Sequence, residues 1–294
     1  MSRGALRYGA AVTGTMVGDM SANHEERPPL DAAALQADLI RPGRLWREIT
    51  VVETTGSTNA DLAARAAQGG PEGIVLAAEE QLAGRGRMGR QWVSPARSAI
   101  MVSVLVRPAE IASARRGWLP LLAGVAAATA VRQSAGVPAV LKWPNDLLVG
   151  ERKLAGILAE QSGDAVVVGL GLNVSATEAE LPDTGPGAPA ATSLLLEGAT
   201  GLDRTALLAA LLAEFERWYR AWGQTVPPGD PAASGLRAAY LELCTTVGRE
   251  VRVERAGGQS VTARATGLDS DGRLVIEGPQ GSEAVSAGDV RHLR

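Results

Sequence analysis

Between residues 46 and 174, short apolar runs alternate with longer helical segments, and this alternation is the feature that most constrains the fold. Runs rich in Val, Ile and Leu are typical of strands, whereas apolar residues recurring every three or four positions are typical of helices. Helical periodicity covers residues 59–68 and 118–134. Strand-type runs cover residues 47–53, 74–78, 100–106, 140–142, 147–149, 153–161 and 165–174. The pattern predicts a sheet with helices packed against it.

The segments on either side of this region have other patterns. Residues 1–28 are rich in Gly, Ala and Met without periodicity, which predicts a disordered tail that can be deleted to residue 27 without loss of folding or activity. A short helix opened by Asp31 is predicted over residues 28–40, and a long amphipathic helix runs from Asp203 to Trp222. The last fifty residues form short alternating runs separated by Gly-containing turns, which predicts a small all-β barrel.

Charge and the scarcity of cysteine and histidine argue against several function classes. A formal net charge of -3 and an isoelectric point near 5.6 disfavour broad electrostatic binding of nucleic acid. Cys244 is the single cysteine, and the two histidines, His24 and His292, lie near opposite ends, so neither an internal disulfide nor a histidine metal cluster is predicted. The chain has no apolar run long enough to span a membrane. We expect a cytoplasmic protein that binds neither nucleic acid nor membrane.

One loop, residues 84–92, concentrates the chemistry of an anion clamp, and we call it the arginine loop. Its nine residues, GRGRMGRQW, contain three glycines, three arginines and a tryptophan. Glycine lets the backbone turn sharply and approach a ligand closely, while guanidinium forks bind phosphate or carboxylate oxygens bidentately. Trp92 adds a flat surface for a base. A solvated basic hairpin would have the same composition, so the loop by itself leaves both interpretations open.

A predicted hairpin brings a lysine and an aspartate together. Gly150-Glu151 lies between two strand-type runs, with glycine first, as a type II′ turn prefers. In that register Val149 pairs with Arg152 and Leu148 faces Lys153. Asp146 then becomes the diagonal neighbour of Lys153, about 7 to 8 Å away on the same face. The two side chains are predicted to share one site.

Four motifs in a fixed order resemble the biotin protein ligase family. They are the arginine loop, Lys142-Trp-Pro-Asn-Asp146, Arg152-Lys-Leu-Ala-Gly-Ile-Leu158 and Gly171-Leu-Asn173. The resemblance covers about residues 45 to 294. It implies an α+β fold, a mixed sheet with flanking helices of the class II aminoacyl-tRNA synthetase-like type, plus a small C-terminal SH3-like β-barrel. The implied domains are a tail over residues 1–28, a catalytic biotin- and ATP-binding domain over residues 29–240 and a β domain over residues 241–294.

The resemblance also implies a two-step reaction. The biotin carboxylate attacks the α-phosphate of ATP, giving biotinyl-5′-AMP and pyrophosphate, and a lysine of a biotin carboxyl carrier protein or domain then attacks the mixed anhydride. ATP and biotin are the expected substrates, with Mg²⁺ carried by ATP. Only 45 residues precede Trp46, with a single short helix and no basic recognition helix, so the chain resembles ligases without a DNA-binding domain. A monomer or weak homodimer is expected.

Site residues follow from matching the family motifs position by position. The matches to biotin contacts are Ser57, Thr58, Asn59, Gln81, Arg85, Gly86, Arg87 and Lys153. The matches to ATP contacts are Arg85, Arg87, Arg90, Trp92, Lys142, Asn145 and Asn173. The resemblance assigns the catalytic step to Lys153, Arg87 and Asp146. Trp143-Pro144 is expected to be structural, because the proline stops the strand.

Structural interpretations and other functions stay open beside this one. Residues 57–59 are also what an ordinary helix N-cap contains, with Thr58 and Asp61 resembling a capping box. Trp92 is also compatible with a core position. Lys153 and Asp146 are also compatible with an exposed ion pair, which contributes little to stability. A lipoate protein ligase or octanoyltransferase of the same fold is one alternative function. A nucleic-acid-binding regulator is another.

Overall fold

A seven-stranded mixed sheet forms the centre of the computed structural model, which describes Met1 and residues 27–185, 188–254, 260–279, 281–286 and 289–293. The strands are β1 Glu48–Thr55, β2 Ile74–Gln81, β3 Ala99–Val106, β4 Val140–Lys142, β5 Asp146–Val149, β6 Arg152–Ser162 and β7 Ala165–Asn173. Their spatial order is β1-β2-β3-β7-β6-β5-β4. β1 and β2 are parallel, and the other neighbouring pairs are antiparallel. The predicted mixed sheet is confirmed.

Helices cover both faces of this sheet. Their bounds are α1 Ala32–Leu39, α2 Thr58–Ala67, α3 Trp118–Ala135, α4 Arg204–Gly223 and α5 Leu236–Leu243. Alternate residues of a strand point to opposite faces. Accordingly Val104 of β3 belongs to the large core that contains α3 and α4, whereas Leu105 packs with Leu62 of α2. Within the described parts of the chain, none of the helices combines the length and apolar character that crossing a membrane requires.

The predicted helix starts are confirmed at two aspartates. The Asp31 carboxylate accepts from the Ala34 N–H, and the Asp203 carboxylate accepts from the N–H groups of Thr205 and Ala206. The predicted apolar face of α4 is buried except at Trp218. This ring is only half-buried and packs under the Arg217 guanidinium, whose Cζ lies 4.2 Å from the ring centroid.

The C-terminal segment folds into a five-stranded antiparallel sheet that packs beside α3. Its strands are β8 Glu250–Glu254, β9 Ser260–Leu268, β10 Leu274–Gly278, β11 Gly281–Val285 and β12 Asp289–His292, in the order β11-β10-β9-β8-β12. The sequence pattern missed β12, because it has only four residues and polar side chains at its ends. The predicted boundary between residues 240 and 241 falls inside α5, whose Tyr240 ring packs edge-on against Trp118 at 6.3 Å, and the division into domains stays a prediction.

Two tryptophan indoles join the five-stranded sheet to α3 and to the β4–β5 connection of the seven-stranded sheet. Trp118 Nε1 donates to the Ser270 carbonyl at 2.9 Å, and Trp143 Nε1 donates to the Gly272 carbonyl at 3.0 Å. The Trp143 backbone N–H also donates to Thr246 Oγ1 at 3.0 Å. Trp143 is buried, which agrees with the structural role expected for it.

The N-terminal edge of the fold begins earlier than predicted. Arg27 Nη2 donates to Glu180 Oε2 at 2.7 Å and to the Ser175 carbonyl at 3.0 Å, and the Pro28 carbonyl accepts from Arg204 at 2.6 Å. Residues 27 and 28 therefore belong to the fold, and their assignment to a disordered tail was wrong. The composition of residues 1–28 did not reveal these contacts because their partners lie about 150 residues away. Residues 2–26 of the predicted tail lie outside the described residues.

We predict that Arg27→Ala lowers the free energy of unfolding by about 1 to 3 kcal/mol, the range for a partly buried charge-assisted hydrogen bond. The hydrogen bond from Arg27 lowers the pKa of Glu180 from 4.5 to about 2. A carboxylate whose pKa is lowered by folding stabilises the protein above its unfolded pKa, and this contribution is lost as pH falls. The difference between variant and wild type should therefore shrink as pH falls from 4.5 toward 2.

Urea titrations at several pH values measure this difference. Arg41→Ala serves as the control, because Arg41 is exposed and lies 4.0 Å from Asp38. Deleting residues 1–27 should cost as much as Arg27→Ala, whereas deleting residues 1–26 should not. Equal stability of both truncated proteins would contradict the assignment of Arg27 to the fold.

Candidate active site

All fourteen sequence-predicted site residues line one cavity of about 520 Å³. They come from separate parts of the chain: the β1–α2 turn, the end of β2, the arginine loop, the β4–β5 connection, the start of β6 and the end of β7. Further lining residues were not predicted, among them Ser103 of β3, residues 182–184 and 188–189, and Val290 and Arg291 of β12. Ser103 carried a usable signal, since it is the polar residue inside the apolar run Ile100–Val106.

The arginine loop folds back on itself as a narrow hairpin at the mouth of the cavity. Arg85 and Gln91 form a β-bridge, the Gly86 N–H donates to the Arg90 carbonyl at 2.6 Å, and the tip is a 3₁₀ turn over Arg87–Gly89. Arg87 Nη1 donates to Asn145 Oδ1 at 3.1 Å. This contact joins the arginine loop to the β4–β5 connection, so two motifs that are 58 residues apart form one wall.

Trp92 lies against the backbone of the two central strands, where glycine leaves room for it. A Cβ atom at Gly171 of β7 would overlap the indole, and one at Gly156 of β6 would come within 3.2 Å of it. The two strands pair directly at these glycines. Trp92 lines the cavity, and its buried Nε1 has no hydrogen-bond partner among the described residues. The interpretation of Trp92 as an ordinary core residue does not fit this position.

Lys153 and Asp146 form an ion pair inside the cavity, with Nζ 2.7 Å from Oδ1. Their side chains are 24% and 15% exposed, which excludes the exposed hairpin pair considered as an alternative. The predicted pairs Val149 with Arg152 and Leu148 with Lys153 are confirmed. The diagonal placement of Asp146 is wrong, because a bulge between Leu147 and Leu148 shifts the register and places Asp146 opposite Gly156.

The start of α2 forms another wall, and it is not a capping box. Ser57 is the N-cap residue and its side chain makes no capping hydrogen bond. Instead Gln81 Oε1, at the end of β2, accepts from the Thr58 N–H at 2.8 Å. Asp61 accepts from Thr55 Oγ1 at 2.5 Å and so does not cap the helix. Ser57, Thr58 and Asn59 are buried and line the cavity, which a merely structural N-cap would not require.

Basic groups outnumber acidic groups in the described lining of the cavity. The basic residues are Arg85, Arg87, Arg90, Lys142, Lys153 and Arg291, and the acidic residues are Asp146 and Asp183. This balance favours an anionic ligand. Among the described residues, no group of three or more His, Cys, Asp or Glu side chains is arranged to hold a metal ion by itself.

His292 of the C-terminal sheet is connected through Thr246 to the cavity wall near Lys142 and Trp143. Its Nε2 lies 2.9 Å from Thr246 Oγ1, the same hydroxyl that accepts from the Trp143 N–H. Burial, followed by the positive charges of Lys142 and Arg249, lowers the pKa of His292 to about 4. The imidazole is therefore neutral at pH 7 and adds no further positive charge beside Lys142.

Two family models match the chain. The biotin/lipoate A/B protein ligase family matches residues 51–173, and the biotin protein ligase C-terminal domain matches residues 246–293. The first match contains most of the seven-stranded sheet and all fourteen predicted site residues, with Asn173 at its last position. The second match coincides with the five-stranded sheet.

Individual relatives agree with these matches. The chain is 45% identical over 272 residues to a biotin–[acetyl-CoA-carboxylase] ligase of Mycobacterium tuberculosis, covering 91% of this chain and 97% of that protein. It is 34% identical to the enzyme of the same name from Paracoccus denitrificans, covering 80% and 97%. The solved structure of biotin protein ligase from Aquifex aeolicus in complex with biotin and ATP superposes with a TM-score of 0.69 at 25% identity, covering 85% of this chain and 100% of that one. The chain therefore belongs to the biotin protein ligase family.

Proposed function

We propose that this protein activates biotin with ATP as biotinyl-5′-AMP and transfers biotin to a lysine of a biotin carboxyl carrier domain of an acyl-CoA carboxylase. The observation that carries the proposal is the cavity itself. It unites the arginine loop, the Lys153–Asp146 ion pair and the buried start of α2 around one volume. The names of the relatives from Mycobacterium tuberculosis and Paracoccus denitrificans support the choice of acceptor.

The first step needs positive charge around phosphate. As the biotin carboxylate oxygen bonds to the α-phosphorus and the bond to pyrophosphate breaks, negative charge grows on non-bridging and leaving oxygens. We assign Lys153 to the reacting carboxylate and phosphate, and Arg87 of the arginine loop to the same oxygens. Asp146 holds Lys153 in place through the 2.7 Å ion pair. Arg85, Arg90 and Lys142 add charge near the phosphates, and Asn145 orients Arg87.

Mg²⁺ fits this cavity as a partner of ATP. Nucleotide-bound Mg²⁺ takes one or two protein carboxylates and completes its coordination with phosphate oxygens and water. Asp146 and Asp183 are the lining carboxylates that would hold it. When bound, it would neutralise phosphate charge.

The two substrates occupy different ends of the cavity in this proposal. Ser57, Thr58, Asn59 and Gln81 surround the ring system of biotin, and Gly86 allows the arginine loop to approach the chain of biotin closely. Trp92 stacks on the purine, and Asn173 at the end of β7 borders it. Closure of the arginine loop keeps water from the mixed anhydride until the amine of the acceptor attacks its carbonyl carbon and AMP leaves.

We propose that the reaction takes place in the cytoplasm. That the protein is a monomer or a weak homodimer stays a prediction. Incubation with biotin, ATP, Mg²⁺ and a carrier domain tests the function, with mass spectrometry expected to show one added biotin. A mass increase only with lipoate or octanoate would favour the alternative ligase function. An unchanged carrier with all three acids would refute the proposal.

We predict that Lys153→Ala reduces adenylate formation about 10²- to 10³-fold, because a preorganised cation acts mainly on the charge of the transition state. Pyrophosphate release measures the rate, and thermal melting should show an intact fold. The matched control is Arg152→Ala, which removes the neighbouring cation that pairs with Glu197 outside the cavity. Normal rates for both Lys153→Ala and Asp146→Ala would make the ion pair merely structural.

We predict that Arg87→Gly weakens the retention of biotinyl-5′-AMP more than it slows its synthesis. Loss of a charge-assisted contact of about 1.5 to 3 kcal/mol raises the dissociation rate by one or two orders of magnitude. The escaped anhydride should then biotinylate lysines of serum albumin, as detected by blotting. Arg41→Gly, at an exposed arginine, is the control. An unlabelled bystander together with normal adenylate synthesis would show that Arg87 does not retain the intermediate.

We predict that Gly171→Ala raises the KM for ATP about 10-fold, because the new methyl group displaces Trp92 and base stacking on an aromatic ring contributes about 1 to 3 kcal/mol. Gly267→Ala is the control, since a Cβ there meets nothing within 4 Å. In a Trp92→Ala background the Gly171→Ala change should add no further loss. Additive losses in the double variant would contradict the contact.

A further inference from the structure

A series of buried and partly buried hydrogen bonds runs behind the part of the cavity formed by α2. Asn59 Nδ2 donates to Glu160 Oε2 at 2.7 Å and to the Leu158 carbonyl at 3.2 Å. Ser103 Oγ donates to Asn59 Oδ1 at 2.6 Å, and Ser103 Oγ also lies 2.7 Å from Thr58 Oγ1. Thr58, Asn59 and Ser103 line the cavity, whereas Glu160 lies behind them.

We propose that Glu160 and Ser103 are positioning residues that set the hydrogen-bonding direction of Asn59 and Thr58, so that this end of the cavity selects a ligand with N–H groups. The inference rests on the proposed function and extends it, because it names what in the cavity distinguishes the cyclic urea of biotin from the rings or alkyl chains of other acids.

Glu160 determines which way the Asn59 amide points. An ionised carboxylate and a backbone carbonyl can only accept hydrogen bonds, so the atom of Asn59 that faces both of them must be the amide nitrogen. Turning the amide over would place Oδ1 against two acceptors. Both N–H groups of Asn59 are thus used inside the protein, and only Oδ1 remains to interact with a ligand.

The orientation of the Asn59 amide in turn determines which way the hydroxyl groups of Ser103 and Thr58 donate. Because Asn59 Oδ1 can only accept, the single hydroxyl hydrogen of Ser103 is used in the 2.6 Å contact with it. The 2.7 Å contact between Ser103 and Thr58 must therefore be donated by Thr58. The Thr58 hydroxyl hydrogen is used in turn, and its oxygen faces the ligand as an acceptor. Gln81 Oε1, 3.1 Å from this hydroxyl, receives its hydrogen from the Thr58 N–H.

The resulting cavity end is complementary to a cyclic urea. Thr58 Oγ1 and Asn59 Oδ1 are acceptors for N–H groups, and the Ser57 hydroxyl, which makes no capping hydrogen bond, is a donor for a carbonyl. A saturated fatty acid or a dithiolane ring has no N–H group with which to satisfy these acceptors. Asn59 Oδ1 would then keep only its hydrogen bond from Ser103, and the lone pairs of both oxygens that face the cavity would stay unpaired, which disfavours such a ligand.

Three variants test the proposal, because positioning of Asn59 and Thr58 should affect the KM for biotin and not the KM for ATP. Glu160→Met and Ser103→Ala should each raise the KM for biotin about 10- to 100-fold. Glu160→Met lets the Asn59 amide turn over, and Ser103→Ala lets the Thr58 hydroxyl donate in another direction. The KM for ATP and kcat for pyrophosphate release should change less than about 3-fold. Glu160→Gln keeps an acceptor for Asn59 and should stay within about 3-fold of wild type for biotin.

Two controls separate positioning from a general loss of structure. Ser162→Ala alters the same strand and removes a hydrogen bond to the Ala63 carbonyl of α2, outside the cavity, and should leave both KM values unchanged. Because these hydrogen bonds act as a unit, the double variant of Glu160→Met and Ser103→Ala should raise the KM for biotin no more than the worse single variant does.

The outcomes are distinct. An unchanged KM for biotin in folded Glu160→Met, or equal rises of the biotin and ATP KM values, would overturn the positioning role. Failure of the wild-type protein to release pyrophosphate with biotin and ATP would instead refute the proposed function.

Discussion

Repulsion among six basic side chains in one cavity is the constraint on which the rest of the structure depends. Like charges brought together in a partly desolvated volume repel each other more strongly than they do in water. The structure offsets this repulsion with acceptors fixed on the sheet, Asp146 for Lys153 and Asn145 for Arg87. The buried neutral imidazole of His292 adds no further charge beside Lys142. An anionic substrate completes the compensation.

The sheet supplies the rigidity that such a site requires. Its centre is the pairing of β3, β7 and β6, and nearly all side chains of β3 and β7 are buried. Gly156 and Gly171 lie opposite each other in β6 and β7 and leave a surface against which the Trp92 ring packs. The position of Trp92 is therefore set by missing side chains on two strands as much as by its own loop.

Residues of the C-terminal sheet also belong to the site. Trp143 follows Lys142 directly and is hydrogen-bonded to Thr246 and to the Gly272 carbonyl. Val290 and Arg291 of β12 line the cavity. The β4–β5 hairpin that carries Lys142, Asn145 and Asp146 is thus held by the C-terminal sheet, which makes this sheet part of the cavity wall.

The sequence by itself determined the alternation of strands and helices, the helix starts at Asp31 and Asp203 and the pairing of Leu148 with Lys153, and its motifs indicated fourteen of the residues around the cavity. These features depend on periodicity, on turn residues and on motif order, which are local properties. The tertiary structure decided the bulge beside Leu147, the contact of Arg27 with Glu180 and the hydrogen-bonded series from Glu160 to Thr58. Apart from the bulge, which lies inside a hairpin, the hydrogen bonds among these features join residues 44 to 153 positions apart. No local pattern encodes these long-range hydrogen bonds, because the spatial order of strands and helices selects the partners.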